Sequence, residues 1–228
     1  MPTLFVVATP IGNLSDISLR AKNALESVDA ILCEDTRVTS KLLAASGIRK
    51  TLVAYHQHSD DRRVKEIVAM LREGKSLALV TDAGTPGISD PGGKLVASVV
   101  AELGNDVNVV PIPGPSAIIA ALSVSGFPCD EFLFLGFPPN KKGRQTFFKR
   151  LPTIESTVVF YESTHRIMKT LEEIRGQAGL AGRRLVVCRE LTKLHETVYR
   201  GTAEEVTAML KSTSIKGEFV IVLAPAGF

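Results

Sequence analysis

The sequence predicts an α/β fold made of two α/β domains. Short runs of aliphatic and β-branched residues alternate with segments whose apolar residues recur at helical spacing. A proline-rich segment interrupts this alternation near the middle of the chain. Strand–helix alternation predicts a mostly parallel sheet in the first half. In the second half two strand-like runs are only a few residues apart, which indicates an antiparallel pair and therefore a mixed sheet.

The first half contains five predicted strands separated by helical patterns. In parallel α/β sheets ligands bind beyond the carboxyl ends of the strands, so the loops after these strands are the places to look for chemistry. The predicted strands are Leu4–Ala8, Ala30–Cys33, Leu52–Tyr55, Leu77–Val80 and Val107–Val110, and the predicted helices are Leu19–Ser27, Ser40–Ser46, Arg62–Arg72 and Leu95–Leu103.

The proline-rich segment marks the expected domain boundary. Val109–Pro115 carries three prolines within its last five residues, which excludes a helix or a central strand. Ser116 then begins an apolar helix, Ala117–Ser125. We therefore predict domains at 1–113 and 114–228. The second-half strands are predicted at Phe132–Leu135, Thr157–Tyr161, Leu185–Cys188, Glu196–Tyr199 and Phe219–Leu223.

Composition narrows the class of protein. The chain has 228 residues, 45% hydrophobic and 22% charged, which is ordinary for a folded domain. It has no apolar run long enough to span a membrane and no signal peptide pattern, so we expect a cytoplasmic protein. Its three cysteines are widely spaced, as expected for free thiols. The net charge of +3 is uneven, at −1 over Met1–Pro113 and +4 over the rest, so a polyanionic partner is expected on the second half.

One loop of the first half is unusually shaped. Thr81–Gly93 reads TDAGTPGISDPGG and holds four glycines and two prolines in thirteen residues. Such a loop lets the backbone approach a ligand closely. Asp82 directly follows the predicted strand, the usual position for a carboxylate that binds a ligand. The plainer interpretation is an ordinary turn with a helix cap at Asp90.

This loop does not fit a phosphate-binding motif. Gly87–Gly92 begins like a P-loop, but Lys94 is out of register and the hydroxyl that binds magnesium is missing. The first strand is not followed by GxGxxG, which is evidence against a standard dinucleotide site.

A metal site is not expected. His56 and His58 are spaced to point to one side of a strand end, but no matching pair of ligands accompanies them. Asp60 and Asp61 fit a helix N-terminus better than a metal.

Polar clusters follow several apolar strands. Each alone fits a solvated ion pair, but their joint placement at strand ends is typical of a site. The clusters are Glu34–Arg37, Tyr161–Arg166, Arg189–Lys193 and His195–Glu196.

A basic segment follows Pro139. Five of the ten residues from 141 to 150 are basic, and Phe147 and Phe148 lie among them. The pattern fits a loop that grips a phosphate backbone, or equally a solvated helix face whose phenylalanines belong to the core. The candidate RNA-binding residues are Lys141, Lys142, Arg144, Lys149 and Arg150.

Seven motifs in order along nearly the whole chain resemble one family. They are TPIGNLSDISLRA, ILCEDTR, LVTDAGTPGISDPG, PIPGPSA, FYESTHR, CRELTKLHE and KGEFVIV. Together they resemble the ribosomal RNA small subunit methyltransferase I family, within the tetrapyrrole methylase superfamily (class III S-adenosylmethionine methyltransferases). The resemblance implies two α/β domains with S-adenosylmethionine in the interdomain cleft, and a homodimer. It also implies methylation of a cytidine ribose 2′-oxygen in the decoding region of 16S rRNA, within the small ribosomal subunit.

The resemblance also implies a set of cofactor-binding residues. The residues carried over are Pro10, Asp82, Gly84, Thr85, Pro86, Ile88, Pro113, Ser116, Ala117, Tyr161, Glu162 and Pro225.

Many members of the family continue into a small helical extension that is absent here, which would leave RNA binding weaker or dependent on the basic segment.

Methylation of a ribose hydroxyl requires a base or a cation, because the hydroxyl is too weak an acid to ionise at neutral pH. Arg37 and Lys193 are the cation candidates, and a closed cleft would bring them together over the ribose. Glu162, Glu190 and Glu196 are the carboxylate candidates. A plain surface ion pair between Lys193 and Glu196 is the alternative.

Two other functions remain open from the sequence. One is methylation of a corrin-like small molecule on the same fold, which the basic segment and polar clusters disfavour. The other is a non-catalytic RNA-binding or assembly module. Cofactor binding would separate that module from an enzyme.

Overall fold

The computed structural model describes every residue from Met1 to Phe228. The chain divides just after the proline-rich segment into an N-terminal unit, Met1–Ser116, and a C-terminal unit, Ala117–Phe228. This division lies three residues beyond the boundary predicted from the sequence, which followed Pro113. No helix is long and apolar enough to cross a membrane.

The N-terminal unit is a five-stranded sheet with helices between successive strands. The strand order is β3-β2-β4-β1-β5 and every pair is parallel, so the predicted parallel sheet is confirmed. The strands are β1 (Thr3–Val7), β2 (Ala30–Cys33), β3 (Thr51–Ala54), β4 (Leu77–Leu79) and β5 (Asn108–Ile112), and the helices are α1 (Leu19–Ser27), α2 (Thr36–Ala45), α3 (Asp61–Arg72) and α4 (Gly92–Leu103).

Side-chain caps set where three of these helices begin. Ser18 and Asp60 accept hydrogen bonds from backbone N–H groups in the first turns of α1 and α3. Asp35 does the same for α2, which therefore begins at Thr36, earlier than the predicted Ser40. The apolar faces of α1 and α2 pack on one side of the sheet, and those of α3 and α4 on the other.

Pro111 lies inside β5 rather than in a link between domains. The strand pairs only with β1 and forms the edge of the sheet. Proline is tolerated there because an edge strand needs only one of its two rows of hydrogen bonds. The structure thus agrees with the prediction that this segment is not a central strand. Its residues up to Ile112 nevertheless belong to an edge strand.

The C-terminal unit has a mixed sheet in the order β6-β7-β10-β8-β9. β6 pairs with β7 in parallel, and all other pairs are antiparallel, including the predicted pair of β8 and β9. The strands are β6 (Phe132–Phe134), β7 (Thr157–Ser163), β8 (Leu185–Arg189), β9 (Thr197–Gly201) and β10 (Glu218–Leu223), and the helices are α5 (Ala117–Ser125), α6 (Arg144–Arg150), α7 (Ile167–Gly176) and α8 (Ala203–Ser212).

Only the first of the four helices in this unit was predicted from the sequence. α5 covers one face of the sheet, and the other three helices cover the opposite face. α8 begins at a capping box in which Thr202 and Glu205 satisfy each other's backbone N–H groups. By contrast, α6 and α7 begin without a side-chain cap, so their first residues carry no start signal.

Candidate functional site

The glycine-rich loop after β4 is held in shape by one carboxylate. Asp90 accepts hydrogen bonds from the backbone N–H groups of Gly87 at 2.8 Å, Ile88 at 3.2 Å and Gly92 at 2.7 Å. A Cβ on Gly92 would lie only 2.8 Å from the Asp90 carboxylate, so this position requires glycine. Asp90 therefore organises the loop itself, rather than simply capping α4.

Three loops meet at the carboxyl ends of β4, β1 and β5. Thr9, after β1, and Gly84, after β4, exchange backbone hydrogen bonds of 2.9 and 3.1 Å. Gly84 adopts φ +88°, the left-handed region that favours glycine. The hydroxyl of Thr85 donates to the carbonyl of Pro115, beyond β5, at 3.2 Å. The three loops thus form one connected surface of the N-terminal unit.

Most of the predicted cofactor-binding residues lie on these loops. Gly84 and Pro86 are buried, and Asp82 and Ile88 are exposed. Oδ1 of Asp82 accepts a hydrogen bond from the backbone N–H of Asp35 at 3.1 Å. The residues that the structure brings to this edge of the sheet are Pro10, Asp82, Gly84, Thr85, Pro86, Ile88, Pro113 and Ser116.

Arg37 is held by a carboxylate two residues before it. Its Nε and Nη2 atoms donate to Asp35 at 3.0 and 2.6 Å, while 85% of its side chain remains exposed. The hydrogen bonds from Arg37 hold the pKa of Asp35 well below its usual range, so that carboxylate stays charged. Asp82, Asp35 and Arg37 therefore form a chain in which each group orients the next.

Glu34, beside them, was predicted only as a member of the polar cluster Glu34–Arg37, without a role of its own. Its carboxylate accepts a hydrogen bond from the hydroxyl of Thr81. Burial raises the pKa of Glu34, against the opposing effect of that hydrogen bond, and the nearby charges of Asp90 and Asp82 raise it further. Thr81 lies far from Glu34 in sequence, so only the pairing of β2 with β4 reveals this contact.

In the C-terminal unit, Glu162 is the centre of a buried ion cluster. Its carboxylate lies 2.9 Å from Nε of Arg166 and 3.7 Å from Nη1 of Arg144, and it accepts from the hydroxyl of Thr170 at 2.6 Å. The residue is only 1% exposed. The side chain is enclosed by these partners, and its catalytic or cofactor-binding role stays a prediction.

Tyr161 lies on the opposite face of the sheet from Glu162. Successive residues of a strand point to opposite faces, and Tyr161 packs with the cluster around α5, which includes Ala117. Pro225 follows Leu223, which pairs with Val158 near the start of β7. The structure therefore does not bring Pro225 to the end of the sheet where Tyr161 and Glu162 lie.

The loop between β8 and β9 holds Lys193 between two carboxylates. Nζ of Lys193 lies 3.1 Å from Oε1 of Glu190 and 2.6 Å from Oε2 of Glu218. The pairing of Lys193 with Glu196 considered from the sequence is wrong, because the Glu196 carboxylate instead accepts from the backbone N–H of Thr192 at 2.5 Å.

This loop has an unusual backbone that fixes its side chains. Glu190 and Thr192 both adopt positive φ, at 53° and 65°. Left-handed conformations are costly for residues other than glycine and persist only where contacts enforce them. Oε1 of Glu190 also accepts from the backbone N–H of Glu218 at 2.9 Å, and Arg189 donates to the carbonyls of Lys216 and His195 at 2.6 and 3.1 Å.

The carboxylates keep Lys193 protonated. Partial burial alone would lower the pKa of Lys193, but its hydrogen bonds to Glu218 and Glu190 outweigh that effect and raise the pKa. Burial acts to raise the pKa of Glu190, yet its hydrogen bonds to Glu218 and Lys193 leave it below the ordinary value. Lys193 is therefore suited to stabilise negative charge and not to accept a proton.

The basic segment is part loop and part helix. Lys141 and Lys142 are exposed in the loop before α6, and Lys149 and Arg150 are exposed at the helix end. Arg144 is wrongly predicted as an RNA contact, because it is 4% exposed and its guanidinium faces Glu162, Glu173 and Thr170.

The two phenylalanines of this segment belong to the core. Phe148 is 3% exposed, and Phe147 packs against the same cluster of apolar residues around α7 and α8. This agrees with the plainer of the two interpretations drawn from the sequence, a solvated helix face over core aromatics. The rings are therefore not available to a partner.

Comparison with known proteins defines the class. A family model described as Tetrapyrrole (Corrin/Porphyrin) Methylases matches residues 3–207. Diphthine synthase has the same fold with a TM-score of 0.71 and 17% identity, over 98% of this chain and 90% of that one. A Thermus thermophilus uroporphyrin-III C-methyltransferase, complexed with S-adenyl homocysteine, has a TM-score of 0.64 and 18% identity, over 98% and 97% of the two chains. The chain is a methyltransferase of the tetrapyrrole methylase class, as predicted.

More similar relatives define the family within that class. The ribosomal RNA small subunit methyltransferase I of Xylella fastidiosa is 47% identical, over 98% of this chain and 82% of the relative. Those of Halalkalibacterium halodurans and Thermotoga maritima are each 43% identical, over 99% and 98% of this chain and 76% and 99% of the relatives. The chain belongs to the ribosomal RNA small subunit methyltransferase I family.

Proposed function

We propose that this chain transfers the methyl group of S-adenosylmethionine to the ribose 2′-oxygen of a cytidine in the decoding region of 16S rRNA. The observation that carries the cofactor part is the connected surface formed by the loops after β4, β1 and β5. The names and similarity of the relatives support the choice of ribosomal RNA.

The residues on this surface fit S-adenosylmethionine. The exposed carboxylate of Asp82 can accept hydrogen bonds from ribose hydroxyls or from the amino group of the methionine portion. Gly84 takes the positive φ that lets the loop turn back beside Thr9. The bound cofactor would supply an activated methyl group, so the protein needs no covalent intermediate of its own.

The chain's own residues would act on the nucleophile. A ribose hydroxyl must lose its proton while its oxygen attacks, so negative charge develops on that oxygen. Lys193 carries a fixed positive charge on a rigid loop, and Arg37 presents an oriented guanidinium in the N-terminal unit. Either cation would stabilise the developing charge or hold an adjacent phosphate.

The three carboxylates that could accept this proton differ in their exposure and in the hydrogen bonds that they already accept. Glu162 is enclosed, and Glu190 is held as a carboxylate with a lowered pKa. Glu196 is exposed, although it already accepts a hydrogen bond from Thr192. Glu196 therefore remains the only one of the three carboxylates proposed as the base, and Glu190 is proposed to orient Lys193.

The proposed substrate also implies where the enzyme acts and which of its residues contact RNA. Methylation of ribosomal RNA within the small subunit would take place in the cytoplasm, and we propose that the enzyme acts there as a homodimer. Lys141, Lys142, Lys149 and Arg150 are exposed and positively charged, which suits a phosphate backbone.

Calorimetry tests the cofactor part of this proposal directly. S-adenosylmethionine and S-adenosylhomocysteine should bind the purified protein, whereas ATP and NAD should not. A protein that binds RNA but neither sulfur compound would instead be a non-catalytic module. If a corrin-like tetrapyrrole is methylated and ribosomal RNA is not, the proposed substrate is wrong.

A further inference from the structure

An exposed aromatic ring lies beside the basic segment. Phe137 follows β6 and is 51% exposed. Its ring centroid is 5.2 Å from that of Tyr161. Lys141 and Lys142 follow within the same loop and are exposed as well.

Two arginines fix the backbone of this loop. Nη1 of Arg166 donates to the carbonyl of Pro138 at 2.8 Å and to the side-chain oxygen of Asn140. Nη1 of Arg144 donates to the carbonyl of Pro139 at 3.3 Å. The loop between β6 and α6 therefore has a defined shape, although it is at the surface.

The arginines are in turn held by the buried carboxylate of Glu162. Arg144 and Glu162 are 4% and 1% exposed, so neither charge is solvated by water to an important extent. Arg144 is also paired with Glu173 at 2.7 Å, whereas Glu162 is the carboxylate paired with Arg166, at 2.9 Å. Removing the Glu162 carboxylate would therefore leave Arg166 without its ion pair and the buried cluster with excess positive charge, which is destabilising. Glu162 thus fixes the loop from within the unit.

We propose that Phe137 stacks on an unpaired base of the substrate RNA, and that Glu162 is a positioning residue that fixes residues 137–142 through Arg144 and Arg166. This inference rests on the proposed function. Every base has a π-face, so an exposed aromatic ring beside a basic loop can stack on a base of single-stranded RNA while the lysines contact its phosphates. A loop that is already ordered loses little conformational entropy on binding.

The chain contains a matched control position. Phe132 is also exposed, at 38%, but Asp130 and Glu131 directly precede it. These carboxylates would repel a phosphate backbone, so an aromatic residue at 132 should not report on RNA.

The absence of tryptophan from the chain allows a direct optical test. Phe137→Trp introduces a single indole where a base should stack, and Phe132→Trp introduces one at the control position. Titration with a transcribed decoding-region RNA should quench or shift the fluorescence of the first variant and leave the second unchanged. A response of Phe137→Trp to S-adenosylhomocysteine alone, with none to RNA, would place the ring at the cofactor and overturn the inference.

Affinity for the same RNA gives a second readout. Phe137→Ala should weaken RNA binding by about 5- to 150-fold, as for loss of one stacked base, while Phe137→Trp restores it. Cofactor affinity should be unchanged in both variants. Equal RNA affinity of Phe137→Ala and the unmodified protein would contradict stacking.

The positioning role is tested at Asn140, because Glu162→Gln risks unfolding the unit. Asn140→Ala removes one hydrogen-bond partner of Arg166 at an exposed position. It should speed tryptic cleavage after Lys141 and Lys142 and raise KM for RNA more than it changes kcat. Unchanged cleavage and KM would overturn the positioning role.

The two proposals fail differently in these experiments. If the unmodified protein binds and methylates RNA but Phe137→Trp gives no fluorescence response, the stacking inference is wrong and the proposed function stands. If the unmodified protein neither binds the transcribed RNA nor methylates 16S rRNA in purified small ribosomal subunits, both are wrong.

Discussion

The ammonium of Lys193 lies 3.1 Å from the carboxylate of Glu190, which has a left-handed backbone three residues earlier in the same turn. Oε2 of Glu218, on the neighbouring strand, lies 2.6 Å from the same ammonium. A lysine held in this way has a raised pKa, so it keeps its charge at neutral pH. Its geometry favours stabilisation of a developing negative charge.

Lys193→Ala should therefore slow methyl transfer in a single turnover by about 100-fold or more. Cofactor binding should persist, because the ammonium acts on the nucleophile. Lys211→Ala, at an exposed lysine in the last turn of α8, is the matched control. Near-normal transfer by Lys193→Ala would leave Lys193 with only a structural role.

The pH profile adds a further test of the same residue. Because the pKa of Lys193 is raised above its ordinary value of 10.5, the charged form dominates below that pH. The single-turnover rate should therefore not fall between roughly pH 7 and 9 through loss of this charge. A rate that rises with the deprotonation of Lys193 would identify it as a base instead.

Arg37 should depend on its planar, forked shape. Arg37→Ala should lower the transfer rate by roughly 100-fold if the guanidinium stabilises charge, and Arg37→Lys should not restore it. Asp35→Asn keeps an oxygen that caps α2 but removes the charge that orients Arg37, so it should give part of the same loss. Full activity of Arg37→Lys would show that a simple positive charge is sufficient.

Asp82 should contribute to cofactor affinity. Asp82→Ala should weaken S-adenosylmethionine binding in calorimetry by about 1–3 kcal/mol if the carboxylate accepts hydrogen bonds from the ligand. The hydrogen bond from Asp35 to Asp82 would be lost as well, so the transfer rate should be measured at saturating cofactor. An unchanged affinity would remove Asp82 from the cofactor site.

The exposed lysines should set the salt dependence of RNA binding. Neutralising Lys141 and Lys142 should reduce the slope of log affinity against log salt by about 0.7–0.9 for each phosphate that the protein no longer neutralises. Replacing Lys169 and Lys211, exposed elsewhere in the same unit, is the charge-matched control. The same slope in both double variants would show that the loop does not bind the phosphates.

Much of the N-terminal unit could be predicted, because the local sequence patterns there coincide with the strands and helices of the structure. Apolar runs bounded by turns locate all five strands, and Ser18 and Asp60 mark where α1 and α3 begin. The start of α2 was missed because its first turn is polar, and only the cap at Asp35 reveals it. α6 and α7 lack a side-chain cap, but α8 was missed although Thr202 and Glu205 form a capping box, so the absence of a cap does not by itself explain the missed helices.

The electrostatic partners could not be predicted from the sequence. Arg144 belongs to a basic segment by sequence, but α7 places Thr170 and Glu173 against it. Glu218 lies far along the chain from Lys193 and reaches it only because β10 pairs with β8. Such interactions depend on strand order and helix packing, which leave no local pattern in the sequence.

Methyl transfer to purified small ribosomal subunits tests the central claim most directly. Subunits that lack the modification should be incubated with the enzyme and S-adenosylmethionine labelled in the methyl group, and the labelled nucleoside should then be identified. The expected product is one 2′-O-methylated cytidine in the decoding region of the 16S rRNA, with transfer slowed by about 100-fold or more in Lys193→Ala. Label on a base, on another RNA region or on no RNA, from an enzyme shown to bind the cofactor, would contradict it.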